Sequence, residues 1–176
     1  MKARVKYGSS VTTILPDSAA RVLVDILDGA GIDSVVVTST TRSPEQQAKA
    51  MYENLACFGV TAQRKLYKDA GNQVIDVYEN QSSLGQTAAQ VIAEMARKIR
   101  EVGPDKVSAH CADPGSPSDK IVFDVAPSSI PEDEQPLFET TAALNSHVVK
   151  FLHPREDEAN HPEDTQDPAY HLEVAV

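Results

Sequence analysis

The strand-type segments of this chain do not alternate with its helical ones. Residues 34–40, S-V-V-V-T-S-T, are β-branched and read as a buried strand. A block of helical sequence follows. Further strand-type runs come after it: K-V-S-A-H at 106–110, K-I-V-F-D-V-A at 120–126 and the closing A-Y-H-L-E-V-A-V. A short edge strand is expected at A-R-V-K-Y, residues 3–7. Regular strand–helix alternation would build a parallel sheet, and this order does not supply it. The expected fold is α+β, a small and mainly antiparallel sheet with helices packed on it. The chain has 176 residues, with no internal repeat and no interdomain linker, and reads as one domain able to bury a real core.

The helices announce their ends. Pro16 marks an entrance, with Asp17 or Ser18 as cap and Ala19, Val22, Leu23, Ile26 and Leu27 at helical spacing. Gly29 and Gly31 supply the stop. Ser43, Pro44 and Gln46 form a capping-box signature for a helix running to about Ala56. Residues 61–80 read as helical with a break near Gly71. A helix over 83–102 presents Ala88, Val91, Ile92, Met95 and Ile99 as its apolar face and ends at Gly103-Pro104. A last helix is expected over 133–152, burying Leu137, Phe138, Ala142, Leu144, Val148, Val149, Phe151 and Leu152, before an acidic, proline-containing loop at 153–168.

The net charge of -10 sets the chain against nucleic acid and anionic membranes, since phosphate binding needs clustered Lys and Arg. No apolar run approaches the ~20 residues of a membrane span. The basic start M-K-A-R-V-K-Y-G-S-S lacks the apolar stretch of a secretory signal, so the expected location is the cytoplasm, or outside the cell by release without a cleaved signal peptide. Two cysteines without C-x-x-C exclude a structural zinc knuckle; a Cys57–Cys111 disulfide stays open. No phosphate-loop, dinucleotide, nucleophile-elbow or H-E-x-x-H motif occurs. Cys111 beside His110 does not make a dyad, because strand neighbours point to opposite faces. His147, His153 and His161 read as solvent or packing residues.

Asp124 carries more information. It stands between Phe123 and Val125, and a carboxylate amid an apolar strand is costly unless paired or bound to metal. A hairpin of 106–110 with 120–126 would bring His110 to Asp124, and the closing strand would bring His171. Two imidazoles and one carboxylate suit one zinc ion with a position left for water. Structural hydrogen bonding is the alternative role for each of these residues.

Three segments resemble the peptidase M15 group, the D-Ala-D-Ala carboxypeptidase and L-alanyl-D-glutamate endopeptidase family. V-V-V-T-S-T-T-R-S-P-E-Q-Q-A resembles its I-T-S-G-x-R-S opening, V-S-A-H…V-F-D-V-A its S-x-H-x-x-G-x-A-x-D motif, and Y-H-L-E-V its last histidine strand. They occur in the family's order over about residues 30–176. The resemblance implies a hedgehog/DD-peptidase-like fold and a zinc-dependent peptidase acting on peptidoglycan-type peptides with D-amino acids. It implies His110, Asp124 and His171 as zinc ligands, Arg42 as the arginine contacting substrate, and Ser108 as a supporting residue. Two departures stand out. A long loop, C-A-D-P-G-S-P-S-D, separates His110 from Asp124, and an alternative alignment makes Asp113 or Asp119 the ligand. The family's general base, an acid three residues before the last histidine, is replaced by Pro168, leaving Asp167 or Glu173 as candidates. A non-catalytic metal-binding protein on the same fold, such as a phage virion component, is the alternative function.

Overall fold

A computed structural model describes residues 4–9, 11–112, 120–154 and 169–175. Along the chain come β1 (Arg4–Tyr7), α1 (Asp17–Ala30), β2 (Ser34–Ser39), α2 (Pro44–Phe58), α3 (Val60–Arg64), α4 (Asp69–Ser83), α5 (Ala88–Val102) and α6 (Pro104–Val107). Then follow β3 (Lys120–Val125), a 3-10 turn (Pro127–Ser129), α7 (Gln135–Leu144), β4 (Val148–Leu152) and β5 (Tyr170–Ala175). The chain is therefore mixed α and β. No helix among the described residues is long and apolar enough to cross a membrane. Two compact units are formed, residues 1–41 with 118–176, and residues 42–117.

The first unit is built on a five-stranded sheet in the order β1-β2-β3-β5-β4. β1 pairs parallel to β2, and the other three pairings are antiparallel. The mainly antiparallel sheet expected from the sequence is present, with β1 at one edge. Side chains alternate across a strand, so Val35, Val37, Phe123, Val125, Tyr170, Leu172 and Val174 share one apolar face. Helix α1 adds Ala19, Val22, Leu23, Ile26 and Leu27 to that core, and α7 adds Phe138 and Ala142. Fully burying a valine, leucine, isoleucine or phenylalanine side chain stabilises by about 1.5–3 kcal/mol. Pro16, rather than Asp17 or Ser18, occupies the cap position of α1. Gly31 ends the helix at φ 69°, a left-handed conformation that favours glycine, while Gly29 lies inside the helix.

The expected helix over 133–152 is two elements. Helix α7 stops at Leu144, and Asn145 takes an extended ψ of 123°. Its side-chain oxygen accepts a hydrogen bond from the His147 N–H, closing a turn into β4. V-V-K-F-L is β-branched at its start, and pairing with β5 satisfies its backbone in a way an isolated helix end would not. Leu137, Leu144 and Val149, expected inside, are exposed.

The second unit is helical. Helix α2 starts as expected, with the complete Ser43–Gln46 capping box and Pro44 in its first turn. Helices α2, α4 and α5 bury Ala48, Met51, Leu55, Val74, Ile75, Val91, Met95 and Ile99 together. Ala88 lies at the exposed start of α5, which Thr87 caps with Gln90. The break expected near Gly71 falls instead between α3 and α4, and α4 runs through Gly71. The glycine serves close approach: a Cβ there would sit 2.5 Å from the Tyr67 ring.

The expected strand at 106–110 is absent. Gly103 takes φ 102° and Pro104 opens the short α6, with backbone hydrogen bonds Lys106 N–H to Gly103 O and Ser108 N–H to Pro104 O. Val107 was the segment's one β-branched residue, and burial in the helical core claims it. The hairpin with 120–126 does not form; β3 pairs with β2 and β5.

Candidate metal centre

Two of the expected ligands belong to the sheet unit. Asp124 of β3 lies directly opposite His171 of β5 in register. The pattern that sends Phe123, Val125, Tyr170 and Leu172 into the core sends these two to the other face. There His171 Nδ1 lies 2.9 Å from Asp124 Oδ1. His171 is 4% exposed, and Asp124 is half-buried. Ser39, also buried, is the register partner of Asp124 on β2.

Glu173 shares this face, two residues along β5. It is buried, lies 3.5 Å from His171 Nε2, accepts from Lys120 of β3 and stands 3.7 Å from Lys150 of β4. Burial pushes its pKa up. The Lys120 hydrogen bond and charge, the Lys150 charge and the His171 contact outweigh that and hold the carboxyl below its ordinary value. Because the folded pKa is depressed, the stabilisation is complete above the unfolded value near 4.5 and fades as pH falls through the folded one. In metal-free protein, Glu173→Gln is therefore expected to lower the melting temperature near neutral pH. The difference from wild type should close on acidification below about 4.5. Thermal melts across that pH range check it, and a gap constant with pH would refute it.

The third residue, His110, belongs to the helical unit. It sits in the turn after α6, 9% exposed. Its backbone N–H donates to Ser108 Oγ at 3.3 Å, so Ser108 shapes the turn that carries it. Arg42 is fixed to the same turn. Its N–H donates to His110 O at 2.6 Å, and Ala112 N–H donates to Arg42 O at 3.0 Å, a parallel bridge between Arg42 and Cys111. The Arg42 guanidinium donates to Gln47 Oε1 at 3.3 Å. Tyr67 lies beside both. Burial pushes its phenol up, against the opposing pull of the Arg42 charge and a Gln47 hydrogen bond. Cys111 is buried in the helical core and Cys57 is exposed, and the two are not joined by a disulfide.

By donor chemistry His110, Asp124 and His171 are described residues able to ligate a metal ion, and Asp124 and His171 stand side by side on the sheet. Two imidazoles and one carboxylate match a zinc-type shell by chemistry; the same donors take other divalent transition metals. Asp113, Asp119, Asp167 and Pro168 lie outside the described residues. The sequence reading missed Lys120, Lys150, Gln47 and Tyr67. Lys120 was findable, because period-two spacing puts it on the face of Asp124. Lys150 was hidden by the helix expected there. Gln47 and Tyr67 reach Arg42 only through the packing of the helical unit. No family model, curated protein or solved structure matches this chain.

Proposed function

We propose that the protein is a zinc-dependent peptidase acting on peptidoglycan-type peptides that contain D-amino acids, with His110, Asp124 and His171 holding the ion. The observation that carries the reading is the Asp124–His171 pair, a carboxylate and an imidazole opposed across two inner strands of the sheet. Such a pair is costly to bury, and a cation between two imidazoles and a carboxylate offsets that cost. The resemblance of the three motif segments to the M15 peptidases supports the choice of reaction and substrate.

When bound, the ion supplies a water of lowered pKa and a Lewis acid for a carbonyl oxygen. Glu173 keeps His171 oriented by facing its Nε2 side, while Asp124 faces Nδ1. Arg42, held by its backbone to the His110 turn, carries the permanent positive charge that binds the substrate and opposes negative charge developing on its carbonyl oxygen. Glu173 is the base candidate within the described residues, and its depressed pKa makes it a fixed anion better suited to orienting than to accepting a proton. Asp167 is the other candidate.

That same observation favours a second reading, a non-catalytic metal-binding or interaction protein, in which the ion ties the structure together and Glu173 serves its lysine partners. One experiment separates the two. Zinc-loaded protein is incubated with peptidoglycan stem peptides and the products are read by mass spectrometry. The peptidase reading expects cleavage that His171→Ala abolishes. Intact peptides, or equal cleavage by the variant, would refute it.

A further inference from the structure

The helical unit contains a cleft of about 420 Å³ beside the turn that carries His110, with Ser108 and Ala109 in its wall. That size falls within the range of about 300–1,000 Å³ typical of small-molecule sites. Its walls include Asn54, Gln63, Tyr67, Lys68, Asp105 and Lys106. Gln63 is 4% exposed, and its side-chain amide makes no hydrogen bond to the described residues. The amide is not among the side-chain groups sealed from solvent without a partner, so it is open to whatever fills the cleft. Lys68 and Lys106 form no ion pair with the described residues. Against them stands Asp105, so the walls keep an excess of positive charge in a chain of net charge -10. Tyr67 adds a phenol at the wall, an O–H that can donate as well as accept. Its ring is held by close packing over Gly71.

We infer that this cleft is a binding site for a small carboxylate of amino-acid or short-peptide size, gripped by Gln63, Tyr67, Lys68 and Lys106. Ammonium and amide donors lining one cleft match the acceptor-only character of a carboxylate. Asn54 provides a further amide at the wall and Asp105 a place for an amino group. The inference stands on the helical unit and does not need the proposed metal.

The test uses the full chain, isotope-labelled and stripped with a chelator, so that neither zinc nor cleavage enters the readout. N-acetylalanine, its C-terminal amide and inorganic phosphate are titrated separately and followed by NMR. N-acetylalanine is expected to shift the Gln63 side-chain amide and Tyr67 resonances to saturation. Charge-assisted hydrogen bonds are the stronger kind, so the C-terminal amide should bind about tenfold more weakly. The double variant Lys68→Gln, Lys106→Gln should weaken the acid by a similar factor and leave the amide unchanged. Both lysines are exposed, so the fold should survive their replacement. Equal affinity for acid and amide, shifts confined to other residues, or phosphate binding as tightly as the acid would each overturn the inference.

Discussion

Alanine in place of His171 is expected to abolish stoichiometric zinc binding while leaving the protein folded. The imidazole is buried against Asp124 and Glu173, on the sheet face opposite the main core. Its removal deletes one donor of three and leaves the Asp124 carboxylate without the partner seen at 2.9 Å. Loss of an outer-shell partner alone typically costs about 10–100-fold in metal affinity, so loss of a ligand should cost more than about 100-fold. Equilibrium dialysis with elemental analysis measures this directly. His110→Ala is the more searching variant, because His110 comes from the other compact unit. Equal loss in both variants supports one ion with ligands from both units. Full affinity in His110→Ala would confine the metal to the sheet unit, and unchanged affinity in His171→Ala would end the metal reading.

Local chemistry made much of this fold legible. The α2 capping box needs only Ser43, Pro44 and Gln46, and it stands where the sequence puts it. The β3 and β5 runs were readable because alternation decides which face each residue takes, and that placed Asp124, His171 and Glu173 on one side. What failed were segments whose local preference is weak and whose partners are distant. K-V-S-A-H has a single β-branched residue, and the Gly103-Pro104 junction fixes its conformation instead. V-V-K-F-L carries both helical spacing and strand composition, and the available edge of β5 decides between them. The partner of Arg42 was equally hidden, since a backbone bridge to the His110 turn leaves no mark in side-chain sequence. Ser108 was placed near the candidate ligand, and its hydroxyl holds the backbone of that turn.

Phe123→Ala is expected to produce the largest loss of stability. Phe123 has no exposed surface and lies in the main core, on the central strand β3. Removing a buried phenylalanine side chain costs about 3–5 kcal/mol through lost burial and the cavity left behind. Against a total stability of about 5–15 kcal/mol for a typical domain, that is enough to bring the sheet unit near unfolding. Urea denaturation followed by circular dichroism measures the shift in midpoint. The neighbouring substitution Asp124→Asn supplies the contrast. Residues 123 and 124 are adjacent on one strand and therefore face opposite ways. The amide keeps nearly the carboxylate's volume but loses its charge, so Asp124→Asn should weaken zinc binding far more than it lowers metal-free stability. Phe123→Ala, assayed under conditions where it remains folded, should still bind zinc at wild-type stoichiometry. If instead both variants lost stability alike and zinc binding alike, the two faces of β3 would not divide the labour of core and site, and Asp124 would be a structural residue.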